Sequence, residues 1–421
     1  MNKSIFNRVY LPKSVFTMLA VLFVFAACSD NQSILQENVI SESESELAKA
    51  SALNPDTEYS FDGPMFDIAA LPNGGILVAD FAEVKEINSR GIREVATLPM
   101  IEDIGANNQI EPTFINGLEP IGNGNFFATR SGLDLAVGAA LFRSTRGNIR
   151  KVGDIESYTL GDWDEENGGE PGQNPSWKNF ECEPPGGFSA GPHTNPYHLK
   201  ALSGSEVLIA DAAGNSLLHA TTNGNIEVVA YFPPVVDPNT GDELVQFPLD
   251  VDTNCPVEPV PTAVAVGNDG AYYVSELTGT TAENLGGEAS PEGLASIWRV
   301  EPGSRNVDCP SEACTKVLTG LNSVIDIEFG PDGYLYVVEY EKNGFFATVV
   351  FDTEGNPVIP PVGGAVKKCD ITNDTCDEDN IIYGGENSGL MMPGAITFDK
   401  WDNLWLLDNV FAPTVRTIDW N

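Results

Sequence analysis

One motif, returning six times along the chain, limits what the chain can become. An alternating apolar run leads into a Gly/Asn/Asp turn, then a second apolar run and, in most copies, an acid. Residues 66–71 and 76–80 flank Asn73-Gly74-Gly75, and 125–130 follow Asn123-Gly124. The third copy runs from 197–202 to 207–211, and the fourth turns at Asn268-Asp269-Gly270. The fifth turns at Pro331-Asp332-Gly333 and the sixth at Trp401-Asp402-Asn403. A period of two with this turn chemistry predicts a β-hairpin in each. A third run follows, such as 216–220 or 296–300, and after another Gly-containing turn a fourth, such as 226–230. A four-stranded unit cannot bury both faces alone, so repeated copies stack as blades around a channel. The expectation is an all-β, six-bladed β-propeller of four-stranded blades over residues 57–421. The last copy has only three runs, ending at 415–419, and the segment 58–61 precedes the first. That N-terminal segment is expected to supply the outer strand of the last blade, removing an exposed edge.

The amino end reads as an export signal. Residues 1–27 carry Lys3, Arg8, Lys13 and no acid, then an apolar run from Val15 to Ala27 that is too short to span a bilayer. It ends at Phe25-Ala26-Ala27-Cys28, small residues before a single Cys. This resembles the bacterial lipobox, which implies cleavage after residue 27 and lipidation of Cys28. Residues 28–56, with the alternating Ser/Glu run from Ser41 to Glu46, read as a flexible acidic tether. The expected location is extracytoplasmic, on a bacterial outer membrane. With 61 acidic against 22 basic residues, the net charge of -39 excludes nucleic acid as a partner. A monomer is the expected state.

The run 207–218 resembles an NHL repeat. Asn195-Pro196-Tyr197, 260–267, 272–279 and 323–333 resemble the ScyD/ScyE family over roughly residues 60–410. That resemblance implies an exported six-bladed propeller. Its motif is a structural repeat, so it carries over no catalytic residue.

Propeller topology sorts the long segments. Residues 99–113, 158–195 and 233–261 join one blade to the next, and 277–294 and 341–364 join second strands to third. All five emerge on the face where the inner strands begin, and long loops on a rigid scaffold are where binding concentrates. Seven Cys less Cys28 leave six, an even number in an oxidising compartment. The blade register pairs Cys309 with Cys314 and Cys369 with Cys376, leaving Cys182 with Cys255 between neighbouring insertions.

Chemistry is less legible. Gly187-Phe188-Ser189-Ala190-Gly191 fits G-x-S-x-G but lacks the strand-turn-helix setting of a nucleophile elbow. His193, Asn195 and Tyr197 enter the third inner strand, and with Asn116, Thr262 and Asp326 they are the candidate ligand-binding residues at the channel mouth. Asp67, Asn116, Asn195 and Asp326 are candidate oxygen ligands, for which Ca²⁺ is the candidate ion. His193 and His198 flank Asn195-Pro196-Tyr197, so one of the two is expected to face the channel as a base or metal ligand, with Glu119 a further inner-strand oxygen; His193 equally suits a loop hydrogen bond. Aromatics in or beside the insertions (Trp163, Trp177, Phe180, Phe188, Tyr197, Phe345 and Phe346) are a candidate binding platform. The favoured function is a lipid-anchored module binding a ligand or protein partner through the face with long loops. The alternative is a Ca²⁺-dependent hydrolase, such as a lactonase, or a lyase, with its site in the channel.

Overall fold

The computed structural model describes residues 53–102, 110–111, 113–131, 138–161, 172–174, 180, 193–245, 256–279, 293–348, 357 and 360–420. The signal, Cys28, Cys182, Cys255, the Gly187–Gly191 motif, Trp163, Trp177 and Phe188 lie outside them, as does the Phe346 side chain. Six antiparallel sheets form the ring. Their inner strands are Met65–Ala70, Phe114–Pro120, Pro196–Ala201, Pro261–Val266, Val324–Phe329 and Ala395–Phe398, which define blades 1 to 6. The molecule is a six-bladed β-propeller.

The turn chemistry explains the hairpins. In blades 1, 4 and 5 a glycine takes a positive φ (Gly74 92°, Gly270 77°, Gly333 84°) and donates its N–H back across the turn. Asp402 takes that role in blade 6 with φ 64°, a conformation Asp tolerates better than most residues. In the last blade Tyr59–Ser60 pairs antiparallel with Thr414–Ile418, Tyr59 opposite Val415. The first described strand thus closes the final sheet, as expected.

Packing follows the ring. Six apolar clusters sit between successive blades among the described residues. Leu77 and Val84 meet Leu118 and Phe126 between blades 1 and 2. Trp405 and Leu407 meet Ile68 and Val78 where blade 6 returns to blade 1. Each blade therefore supplies half of two cores, which is why a single repeat has no stable existence.

Three details depart from the simple repeat. The connection leaving blade 2 contains a short helix, Ile155–Leu160, capped by Asp154, which accepts the Ser157 amide at 3.3 Å. The segment after Val300 places Val307–Asp308 parallel to Ile226–Tyr231 and gives blade 3 a fifth strand. Ile101–Glu102 and Ile110–Glu111 pair as a small ribbon on the loop-bearing face. Disulfides join Cys309 to Cys314 and Cys369 to Cys376. Among the described residues no helix is long and apolar enough to cross a membrane.

Candidate functional site

The centre of the ring is built by a repeated irregularity. In blades 1 to 5 the register between the first and second strands shifts near the start of the inner strand. In blade 3 the shift falls between Pro196 and Leu199. Neighbouring residues of an unbroken strand point to opposite faces. Here Tyr197 and His198 instead stack, ring centroids 4.8 Å apart and 20° from parallel. The bulge re-aims the pair, a common use of an extra residue in a strand.

His198 reaches across the channel to blades that are not its neighbours. Its Nδ1 lies 3.0 Å from Asp326 Oδ1 of blade 5 and its Nε2 3.0 Å from the Phe66 carbonyl of blade 1. Asp67 Oδ1 of blade 1 is 3.9 Å from Nε2. The carboxylates are held by backbone amides: Asp67 Oδ2 accepts from Leu118 at 2.6 Å, and Asp326 accepts from Ile327 and Ile396 at 2.8 Å each. One imidazole and two carboxylates so join blades 1, 2, 3, 5 and 6. His198, Asp67 and Asp326 are 4%, 6% and 7% exposed.

A second layer lies nearer the turns. Lys200 Nζ is 3.0 Å from Glu119 Oε1, and Glu328 accepts the Phe398 amide at 3.2 Å. Thr397 Oγ1 accepts the Ala70 amide at 3.1 Å. The two layers contain four carboxyl groups and two basic side chains. Burial would lower His198, but Asp67 and Asp326 outweigh it and lift the imidazole to about 9. Burial pushes Asp67 up to about 7 against the pull of His198, with Asp326 adding to the rise. Burial likewise pushes Glu328 up to about 8, although Lys200 opposes it. Glu119 holds Lys200 well above the ordinary lysine value. The excess carboxyl groups therefore retain protons around neutrality, as buried like charges must.

The expected site residues fall into separate places. Asp67 and Asp326 meet at His198, whereas Asn116 and Asn195 meet each other, Asn116 Nδ2 donating to Asn195 Oδ1 at 2.8 Å and to Ser131 Oγ at 2.6 Å. Thr262 Oγ1 donates to the Val324 carbonyl at 2.7 Å and tethers blade 4 to blade 5. Tyr197 packs edge-on against Phe66. It is His198 that reaches the centre; His193 stands ahead of the inner strand. The aromatic platform does not form from the described members: Phe180 is buried, Tyr197 lies on His198, and Phe345 packs against Tyr340.

Lys200 and Glu328 escaped the sequence reading, which named His198 beside His193 at the channel entry and Glu119 among the inner-strand oxygens. A signal was present: Asp67, Asn116, His198 and Asp326 each stand two residues after an inner-strand start, polar side chains in apolar runs. The acids that end second strands proved structural. Asp211 accepts from Thr194 Oγ1 and the Asn195 and Gly214 amides, and Glu339 from the Asn322 amide and Lys367.

No protein-family model matches the chain, and no curated protein matches it by sequence. Solved structures are similar to it. A streptogramin B lyase is 13% identical over 86% of this chain and 97% of its own, with a TM-score of 0.40. A gluconolactonase from Xanthomonas campestris is 11% identical over 85% and 86%, with a TM-score of 0.43. A PQQ-bound aldose sugar dehydrogenase from Streptomyces coelicolor is 10% identical over 85% and 95%, with a TM-score of 0.41. These likenesses carry no argument about activity, and the architecture rests on this chain's own sheets.

Proposed function

We propose that the chain is an extracytoplasmic propeller of the ScyD/ScyE kind, anchored through lipidated Cys28, that binds a ligand or protein partner through its loop-bearing face. The observation behind this reading is the occupancy of the channel. Both ring nitrogens of His198 are engaged by other blades, and the three central side chains are under a tenth exposed. Such a cluster works as an axle joining the blades.

The competing reading is a Ca²⁺-dependent hydrolase or lyase in the channel, favoured by a His set between two carboxylates. Calcium takes 6–8 oxygen ligands. Asp67 and Asp326 already accept backbone amides, His198 fills the space between them, and Asn195 Oδ1 accepts from Asn116 Nδ2. The donor set does not fit the ion.

Photo-crosslinking in the source cell envelope tests the binding reading. A photoreactive residue at Val236 or Phe411, both exposed on the loop-bearing face, is expected to yield discrete adducts. The same residue at Leu202 or Tyr334, exposed at the opposite turns, is expected to yield none. Adducts from the turn face alone would overturn the assignment.

A further inference from the structure

Between the outer strand of blade 5, Ile381–Gly384, and the third strand of blade 6, Thr414–Ile418, lies a cavity of about 200 Å³. Tyr383, Gly384, Ser388, Gly389, Leu390 and Arg416 line it. Outer strands run toward the loop-bearing face, so Gly384 and the connection after it stand there. The volume is below the range of pockets for drug-sized ligands, and so suits a small molecule or one unit of a larger one.

Its chemistry is set by Arg416. The guanidinium Nη2 meets Asp408 Oδ2 at 2.5 Å and the Tyr383 hydroxyl, Nη1 lies 3.6 Å from Glu58, and Cζ sits 5.2 Å from the Tyr383 ring centroid. Its Nε is buried, and among the described residues no acceptor reaches it. A buried donor without an acceptor is costly, so it points to an acceptor that arrives with a ligand or with water. Two carboxylates around one guanidinium leave no surplus positive charge. In a chain of net charge -39 an anion has little reason to enter. The remaining lining suits hydroxyl groups: a phenol, a serine and bare backbone. At Gly389, φ is 90° and an added Cβ would meet nothing within 4 Å, so the backbone there faces open space.

We propose that this crevice is a subsite for an uncharged polyhydroxylated ligand, a single sugar ring or the terminal unit of a glycan. The proposal deepens the binding reading above and rests on it for its biological use. Arg416 donates from Nε to a ring or hydroxyl oxygen, Asp408 and Tyr383 orient the guanidinium, and the Gly384–Leu390 segment gives the close backbone approach.

The test is titration of the full mature chain with glucose, galactose, mannose and glucuronate, read by saturation-transfer NMR and calorimetry. A ligand of this size in a shallow polar site binds in the millimolar range. Saturable binding of at least one neutral hexose is expected, weakened roughly tenfold or more in Arg416→Lys, which loses the planar fork. Ser388→Phe, at an exposed position, fills the crevice without touching the ion pairs and is expected to abolish binding at an unchanged melting temperature. No saturable binding of any probe would overturn the proposal. So would tighter binding of glucuronate than of glucose, or hexose binding that survives Ser388→Phe. Loss of the sugar site with loop-face crosslinks intact sinks this inference alone. Turn-face crosslinks with the sugar bound sink only the wider reading.

Discussion

His198 shows how one residue acquires a role from its register. On the sequence it is one of three histidines, and His193 stands as close to the blade entrance. The bulge in blade 3 turns His198 inward, where Asp67 and Asp326 lift it to about 9. Glu328 is lifted to about 8 by burial and Asp67 to about 7. The consequence for pH has one sign. A group whose folded pKa lies above its unfolded value binds its proton more tightly in the native state, so unfolding releases it. His198 then contributes stability that is complete below about 6.5 and is lost as pH rises through about 9. Glu328 and Asp67 act in the same direction from lower pH, their native protons being lost through about 8 and about 7. Melting temperature is expected to fall steadily between pH 7 and pH 9.5, and Glu328→Gln, which keeps a neutral side chain there, is expected to flatten part of that slope. A melting temperature that rises across this window would contradict the protonated axle. None of this was legible in composition, because it depends on which of two neighbouring residues the bulge faces inward.

At the scale of the strand, the hairpins were legible because turn residues and alternation are local signals. Asn-Asp-Gly and Pro-Asp-Gly mark the turns whatever surrounds them, and the glycines take the positive φ those turns require. The short helix after Asp154 and the added strand Val307–Asp308 were not legible. The first is six residues long inside a connection, and the second owes its pairing to a neighbouring blade. Inner strands also carry a spacing constraint that appears only in the ring. An added Cβ at Gly117 would stand 2.5 Å from the Tyr197 carbonyl and 2.9 Å from Thr129 Oγ1. Blade 2 can approach blade 3 this closely only without a side chain. Gly117→Ala is expected to destabilise the fold by about 1–3 kcal/mol in denaturant titration, the usual cost of overpacking. An unchanged midpoint would show that the blades separate freely.

For the whole molecule, closure was legible from a deficit: the sixth copy lacked a strand and the chain offered one at its start. Glu58 next to that strand faces Arg416, the Thr417 hydroxyl donates to the Pro55 carbonyl at 2.5 Å, and Tyr59 and Phe61 pack on the cluster between blades 6 and 1. Beginning the protein at residue 62 is expected to expose the edge of Thr414–Ile418 and promote association through it. Light scattering and melting temperature check this, with a lower midpoint and larger species expected. A monodisperse truncated protein of unchanged midpoint would mean that closure is dispensable.

Whether the channel is an axle or an ion-dependent reaction centre divides the two functional readings most sharply. Thermal unfolding of the mature protein, stripped with EDTA and measured with and without millimolar Ca²⁺, separates them. An ion bound only by the native state adds about 4 kcal/mol at a thousandfold excess over Kd. The expected result is a midpoint that Ca²⁺ leaves in place. A large upward shift that disappears in Asp326→Asn would contradict the axle and put the ion, and the chemistry, at the centre of the ring.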